Sequence, residues 1–403
     1  MSQTSNNGSS LPLQRAGGQV KPANRLNSVS EYYFSQKLRE IAEMNAQGKN
    51  VLNLGIGNPD LPPSVETIEM LCKEAQKPDV HGYQSYVGIP ELRQGFAEWY
   101  RKWYKVELNP ATEIQPLIGS KEGILHITLA FVNPGDGVLV PNPGYPTYQS
   151  VSRLAEADVI SYDLDEKNNW QPDFEALEKT DLSHVKLMWV NYPNMPTGAN
   201  ATTELFEKLV HFGKKHNILI VNDNPYSFIL NERKLSILAI DGAKDISMEM
   251  NSMSKSHNMA GWRMAMLAGN EQFVKWVLAV KSNVDSGMFR PMMIAAAQSL
   301  RNSEEWHNEM NYVYDRRREL AYKIMDLLEC KYDKNQVGMF IWAKIPDTWK
   351  NAGELADKIL YETNVFITPG FIFGSNGNRY IRISLCSPES MLKEVIERIQ
   401  TAP

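Results

Sequence analysis

The segment Val185-Lys186-Leu187-Met188-Trp189-Val190-Asn191 reads as a buried strand, Thr203 to His216 as an amphipathic helix, and Ile218-Leu219-Ile220-Val221-Asn222 as a second buried strand. The helix presents Leu205, Phe206, Leu209, Val210 and Phe212 on one face, with Thr202 available as its N-cap. Further short apolar runs precede and follow it: Ile114 to Ile118, Gly137 to Pro141, Ile246 to Met250 and Met264 to Ala268. Strands that alternate with amphipathic helices predict an α/β fold built on a mostly parallel sheet, covered on both faces. Ligands of such sheets sit at the carboxyl ends of the strands. The polar motifs of this chain cluster at those ends.

Strand Ile218 to Asn222 runs into Asp223-Asn224-Pro225-Tyr226, and strand Ile246 to Met250 runs toward Ser252-Met253-Ser254-Lys255. Arg263 follows Lys255 by eight positions, behind His257-Asn258-Met259-Ala260-Gly261-Trp262. A lysine that forms a Schiff base must shed its proton near neutral pH, and burial beside a fixed cation pushes it that way. Phosphate wants hydroxyls and a guanidinium fork. Both demands are met together by pyridoxal 5′-phosphate (PLP) held on Lys255, with Ser252 and Arg263 at its phosphate. A solvated Ser/Lys/Arg loop is the plainer alternative for this stretch alone.

Other stretches supply the remaining parts. Asp223 could pair with a protonated pyridine nitrogen, and Tyr226 could bond the ring's phenolate oxygen; a strand-end turn would use the same residue types. Asn194, in Tyr192-Pro193-Asn194-Met195-Pro196-Thr197-Gly198, offers a neutral donor to that same oxygen. Gly119-Ser120-Lys121-Glu122-Gly123 stands where a strand gives way to a helix, which aims backbone N–H groups at an anion. Tyr145, in Pro143-Gly144-Tyr145-Pro146, could stack on a planar group. Arg382 lies inside the apolar strand Tyr380-Ile381-Arg382-Ile383-Ser384, where a charge is costly unless paired. A substrate carboxylate or a buried acid would satisfy it equally.

The chain has 403 residues, too many for one ordinary domain, and a net charge of −5. That balance gives no basic footprint for nucleic acid or for a membrane surface. Its three cysteines, Cys72, Cys330 and Cys386, are too scattered for a disulfide framework or a zinc spacing, which fits a reducing cytoplasm. No apolar run reaches the roughly 20 residues that span a bilayer. The expected organisation is a polar, disordered tail over 1–29, an arm over 30–59 joining the small domain, a large domain over 60–300 and a small α+β domain over 301–403. The arm begins with a helix from Ser30 to Gln47, and one long helical stretch from Met292 to Glu329 leads out of the large domain.

In this order, Gly119-Ser120-Lys121, Tyr145, Asn194 to Gly198, Asp223 with Tyr226, Ser252 to Lys255 with Arg263, and Arg382 resemble the class I/II aminotransferases among the fold-type-I PLP enzymes. Three stretches look most like the LL-diaminopimelate aminotransferase-like branch: Gly119 to Ile124, Asn258 to Arg263 and Lys281 to Phe289. The resemblance implies a seven-stranded large-domain sheet and a homodimer with shared active sites. It implies that Lys255 is both Schiff-base former and proton carrier, Asp223 the pyridine partner, and Asn194 and Tyr226 the holders of the phenolate oxygen. Ser120, the backbone of Lys121, Ser252 and Arg263 would bind phosphate, and Tyr83 would reach the partner's phosphate. Arg382 would bind the substrate α-carboxylate, beside space left by Gly57. The reaction implied moves the amino group of an amino acid to a 2-oxo acid such as 2-oxoglutarate. Two positions depart from the pattern: Met195 stands where the family usually has Asn or another polar residue before Pro-Thr-Gly, and Met264-Ala265-Met266 replaces a glycine-containing step.

A PLP-dependent carbon–sulfur lyase on the same scaffold would use Lys255 as well, for elimination. A transcriptional regulator with such a domain would need a DNA-binding helical segment before Ser30, for which the tail has neither the length nor the basic helices.

Overall fold

The computed structural model describes residues 21–28 and 33–402. In chain order its strands are β1 (Leu52–Asn53), β2 (Ile114–Leu117), β3 (Gly137–Asn142), β4 (Asp158–Asp163), β5 (Val185–Val190), β6 (Leu219–Asp223), β7 (Ser247–Ser252), β8 (Ala265–Gly269), β9 (Lys331–Tyr332), β10 (Phe340–Lys344), β11 (Val365–Phe366), β12 (Thr368–Pro369) and β13 (Tyr380–Ser384). Seven of them form one sheet in the order β2-β8-β7-β6-β5-β3-β4. Within it β8 is antiparallel to both neighbours and every other pair is parallel, which gives the mostly parallel α/β sheet expected.

Strand periodicity divides the apolar residues between two cores, one on each face of the sheet. Met188, Val190 and Ile220 face the first, where helix Thr203–His216 packs through Leu205, Phe206, Leu209 and Phe212. Leu187, Trp189, Leu219 and Val221 face the second, under Ile124 and Ile127 of helix Ser120–Phe131 and Val274 and Val277 of helix Glu271–Lys281. The Thr202 hydroxyl accepts from the Leu205 N–H at 3.1 Å, a cap that contributes about 1 kcal/mol. At the other end of that helix Asn217 takes the left-handed conformation with φ 54°, which turns the chain directly into β6.

A second, antiparallel sheet of order β12-β13-β10-β9 carries its own core, and β1 pairs in parallel with β11. In that smaller sheet Arg382 of β13 stands between Trp342 of β10 and Thr368 of β12.

The structure departs from the sequence reading in three places. Strand β4 was not expected, because on this sheet edge only Tyr162 is buried and the aspartates at both ends are exposed. The long helix from Met292 to Glu329 is instead two, Arg290–Ser299 and Glu304–Leu327, and Ser303 caps the second by accepting from the Trp306 N–H at 3.3 Å. Of the tail expected over 1–29, residues 1–20 and 29 lie outside the described residues. Asn24–Ser28 forms a 3-10 helix, with Arg25 paired to Glu156 at 3.0 Å. The first α-helix is described from Tyr33 to Ala46. No described helix is long and apolar enough to cross a membrane.

Candidate active site

The carboxyl ends of β6 and β7, the turn after β2 and the small sheet enclose a cleft of about 1040 Å³. Gly57, Ser120, Lys121, Tyr145, Asp223, Tyr226, Ser252, Lys255, Arg263 and Arg382 all line it. So do Arg153, Met195 and Tyr148, while among the described residues Asp223 is the only carboxylate in the lining. A cleft with several cations and one acid suits a ligand that carries phosphate and carboxylate together.

Asp223 ends β6 and is buried. Its Oδ2 accepts from the Tyr148 hydroxyl at 2.8 Å, and its Oδ1 has no partner. Burial pushes its carboxyl up to about 6; the Tyr148 bond opposes the shift and the neighbouring Glu249 adds to it. A cationic ring nitrogen facing Oδ1 would reverse that shift. Tyr148 is in turn stacked on Trp189, with centroids 5.1 Å apart and planes at 7°, and the Asn191 amide donates to the Asp223 carbonyl at 2.6 Å.

Lys255 sits in the short helix Met253–Ser256, capped by Ser252, whose hydroxyl accepts from the Ser254 N–H at 3.1 Å. Burial is the main force that lowers the Lys255 pKa, with Arg382 and Arg263 adding to it; Cys386 opposes them. Burial and fixed cations thus act together, as expected, with desolvation the larger. The ammonium donates to the Gly57 carbonyl.

The turn after β2 is shaped for an anion. Gly119 has φ 82°, and a Cβ there would lie 2.0 Å from an Arg263 guanidinium nitrogen. Only glycine lets the guanidinium lie against this turn while the backbone holds the left-handed conformation. Ser120 opens helix Ser120–Phe131, where no side chain caps the terminus, and its buried Oγ has no partner. Arg263 donates to the Ala260 carbonyl at 2.8 Å with one nitrogen. The Glu122 carboxylate holds the turn from behind, accepting from the Ile118 N–H at 2.6 Å and from Lys281 at 2.9 Å.

Arg382 is buried, with its guanidinium carbon 3.9 Å from the Phe340 ring centroid and 4.6 Å from that of Phe373. It donates to the Gly55 carbonyl at 2.8 Å, its Nε has no partner, and no acid pairs with it among the described residues. Of the two partners the sequence allowed, a buried acid is absent. Burial lowers its pKa to about 10, as expected for a cation that awaits an anion.

Three sequence-predicted residues stand apart. Asn194 is buried but does not line the cleft: its amide donates to the Asn191 carbonyl at 3.2 Å, and its Oδ1 accepts from the Thr197 hydroxyl at 2.7 Å. Gly57 lines the cleft, yet the place of its missing Cβ is filled by Phe340, 2.4 Å from where that atom would be. The close approach serves this ring, in place of the room for a carboxylate that the resemblance implied. Tyr83 is 94% exposed and lies outside the cleft. Arg290 and Arg379 pair with Glu91 and Asp347, and neither lines the cleft.

Sequence reasoning missed Tyr148, Arg153, Phe340 and Phe373. For Tyr148 a signal existed, since it follows Tyr145 by one helical turn behind Pro146.

The residues fit PLP: an unpartnered Asp223 oxygen, an unpartnered Ser120 hydroxyl, a glycine turn under Arg263 and a lysine with a lowered pKa share one cleft. Such a site at the strand ends of this α/β fold defines a PLP-dependent transferase. The family pattern described as Aminotransferase class I and II matches residues 49–399. An LL-diaminopimelate aminotransferase of Dehalococcoides mccartyi is 40% identical over 382 residues, covering 94% of this chain and 98% of that one. The enzyme of the same name from Maridesulfovibrio salexigens is also 40% identical, over 94% of this chain and 99% of its own. The solved apo structure of BacF from Bacillus subtilis superposes with a TM-score of 0.90 at 37% identity, covering 95% of this chain and 98% of that one. The chain belongs to the class I and II aminotransferases, and it is a PLP-dependent enzyme.

Proposed function

We propose that this aminotransferase moves the α-amino group of an amino acid to a 2-oxo acid, with 2-oxoglutarate as acceptor, in two half-reactions that alternate in one cleft. The observation that carries the reading is Arg382, a buried cation without an acid partner among the described residues, in the same cleft as Lys255. Its Nε has no partner and one terminal nitrogen meets only the weak Met195 sulfur acceptor, which suits the α-carboxylate common to every donor and acceptor. Bound PLP supplies an electron sink for the bond broken at the substrate α-carbon.

The protein's own groups do the rest. Lys255, whose pKa burial lowers, would anchor the cofactor, and its Nζ would carry the substrate's α-proton. Asp223 holds the pyridine nitrogen protonated, and Tyr148 fixes the carboxylate for that task. Ser120, the Lys121 backbone, Ser252 and Arg263 grip the phosphate, Tyr145 covers the ring and Tyr226 holds the phenolate oxygen. The nearly fully exposed Tyr83 suits a homodimer in which each copy sends this phenol to the other's phosphate. Three unpaired cysteines suit a reducing cytoplasm.

For the donor, the relatives' names favour LL-diaminopimelate. A second reading comes from the cleft rim, where Tyr33, Phe34 and Phe371 favour an apolar or aromatic side chain. A panel of amino donors with 2-oxoglutarate, followed by cofactor absorbance in half-reactions, separates the two. Keto acid with amino-form cofactor is the expected product, whereas release of ammonia or thiol would mean elimination and overturn the transfer reading. Borohydride reduction and peptide mapping should place the adduct on Lys255; an adduct on another lysine would refute the anchor.

A further inference from the structure

The loop between β5 and helix Thr203–His216 presents a methionine to the cleft where the sequence reading expected an amide. Asn194 is committed to its own turn: besides the Asn191 and Thr197 bonds of its side chain, its N–H donates to the Ala199 carbonyl at 2.8 Å and its carbonyl accepts from the Gly198 N–H at 2.8 Å. Turning its amide toward the cleft would break both side-chain contacts in a buried setting. Met195 instead lines the cleft, its N–H tied to the Asn191 Oδ1 at 2.8 Å and its Sδ 3.3 Å from an Arg382 guanidinium nitrogen.

In PLP the phosphate arm and the phenolate oxygen lie on opposite sides of the line from ring nitrogen to aldehyde carbon. Asp223 and Lys255 are proposed to hold the two ends of that line. Ser120 and Arg263 gather at the Gly119 turn, and Met195, Arg382 and Phe340 gather with Tyr226 elsewhere on the wall. We propose that Met195, not Asn194, faces the phenolate edge of the cofactor, so that Tyr226 is the hydrogen-bond donor left there. A thioether is a weak acceptor and never a donor, so it cannot stabilise the anionic oxygen. A donor at that oxygen withdraws charge from it and weakens the hold on the proton shared with the Lys255 nitrogen. Without an amide donor, that proton is retained to higher pH. Met195 thereby sets the protonation of the resting enzyme and shields one edge of Arg382 until a carboxylate arrives.

This inference rests on the proposed seat of the cofactor on Lys255. Its test is the pH titration of the visible absorbance of the resting holoenzyme, compared among the parent, Met195→Asn, Met195→Leu and Asn194→Ala. The groups that also bear on this titration, namely Asp223, Tyr226, Arg382, Arg263, Cys386 and Tyr145, are common to all four proteins. Met195→Asn restores a donor and should lower the midpoint by about one unit or more, the size expected of a hydrogen bond to a charged group. Met195→Leu and Asn194→Ala should leave the midpoint where it is. A midpoint that moves in Asn194→Ala, or that stays put in Met195→Asn with the borohydride adduct still on Lys255, overturns this inference alone. A resting enzyme whose adduct lies elsewhere overturns the seat of the cofactor as well.

Discussion

Replacing Asp223 by asparagine should stabilise the cofactor-free protein while it damages the enzyme. The carboxylate is buried at the end of β6 with Oδ2 bonded to Tyr148 and Oδ1 unpartnered, and its pKa rises from 3.8 to about 6, with burial the main cause. A group whose folded pKa is raised penalises the folded state once it must ionise. Below its unfolded pKa of 3.8 the penalty is absent, and it is complete above about 6. A shift of roughly two units corresponds to about 3 kcal/mol. The amide keeps the shape and the acceptor for Tyr148 but carries no charge, so Asp223→Asn removes the penalty.

Urea unfolding of the cofactor-free proteins across pH 4 to 8 checks this. The variant should be more stable at the upper end by a few kcal/mol, with the advantage fading toward the lower end. With PLP added the order should invert, because the pyridinium nitrogen pairs with the carboxylate and gains little from the amide. Turnover should drop by orders of magnitude, since an unprotonated pyridine is a poor electron sink. A cofactor-free variant that is less stable than the parent near pH 8, or a difference that ignores pH, would refute the account of Asp223 as a charge held ready for a cationic ring.

Arg382→Lys keeps a charge and loses the fork, so kcat/KM should fall about 10- to 100-fold for every amino donor while PLP binding persists; unchanged kinetics in a well-folded variant rules out the carboxylate role. A melting curve measured beside the kinetics tells lost structure from lost recognition. Gly119→Ala places a Cβ 2.0 Å from the Arg263 guanidinium at φ 82°, so the fork must move from the turn. PLP affinity, measured by fluorescence titration of the cofactor-free protein, should weaken about 10-fold or more, and an unaltered affinity would show that this turn does not grip the phosphate.

What could be read from the chain depended on whether a residue's role follows from its own strand or from what another element brings to it. Asp223 and Lys255 were legible because Asp223 ends the buried strand β6 and Lys255 follows the end of β7 within one short turn, and ligands of such sheets gather at those strand ends. Strand β4 was not, since at a sheet edge only Tyr162 had to be apolar and the pattern dissolved into turn-like aspartates. The helix break before Ser303 hid inside an otherwise helical stretch, because its signal is a single cap. Asn194 shows the limit most sharply. Composition located the Pro/Gly turn, but within a turn neighbouring side chains point in different directions, and only the bonds to Asn191 and Thr197 decide that Asn194 turns inward and Met195 faces the cleft.

Arg382 was half legible, and the missing half is the one that bears on function. A charge inside an apolar strand demands a partner on energetic grounds alone, and no reading of β13 can say whether a protein acid provides it. That depends on what the rest of the fold brings near: Phe340 from β10, the turn at Phe373 and the sulfur of Met195, none of them an acid. Aromatic faces ease the burial of a guanidinium without neutralising it. The fold therefore keeps this cation at a cost to its own stability, and a ligand carboxylate would recover that cost on binding. The same logic governs Asp223, whose free oxygen is costly in the cofactor-free protein. At Asp223 and at Arg382 alike, the proposed chemistry supplies the opposite charge that the described residues do not.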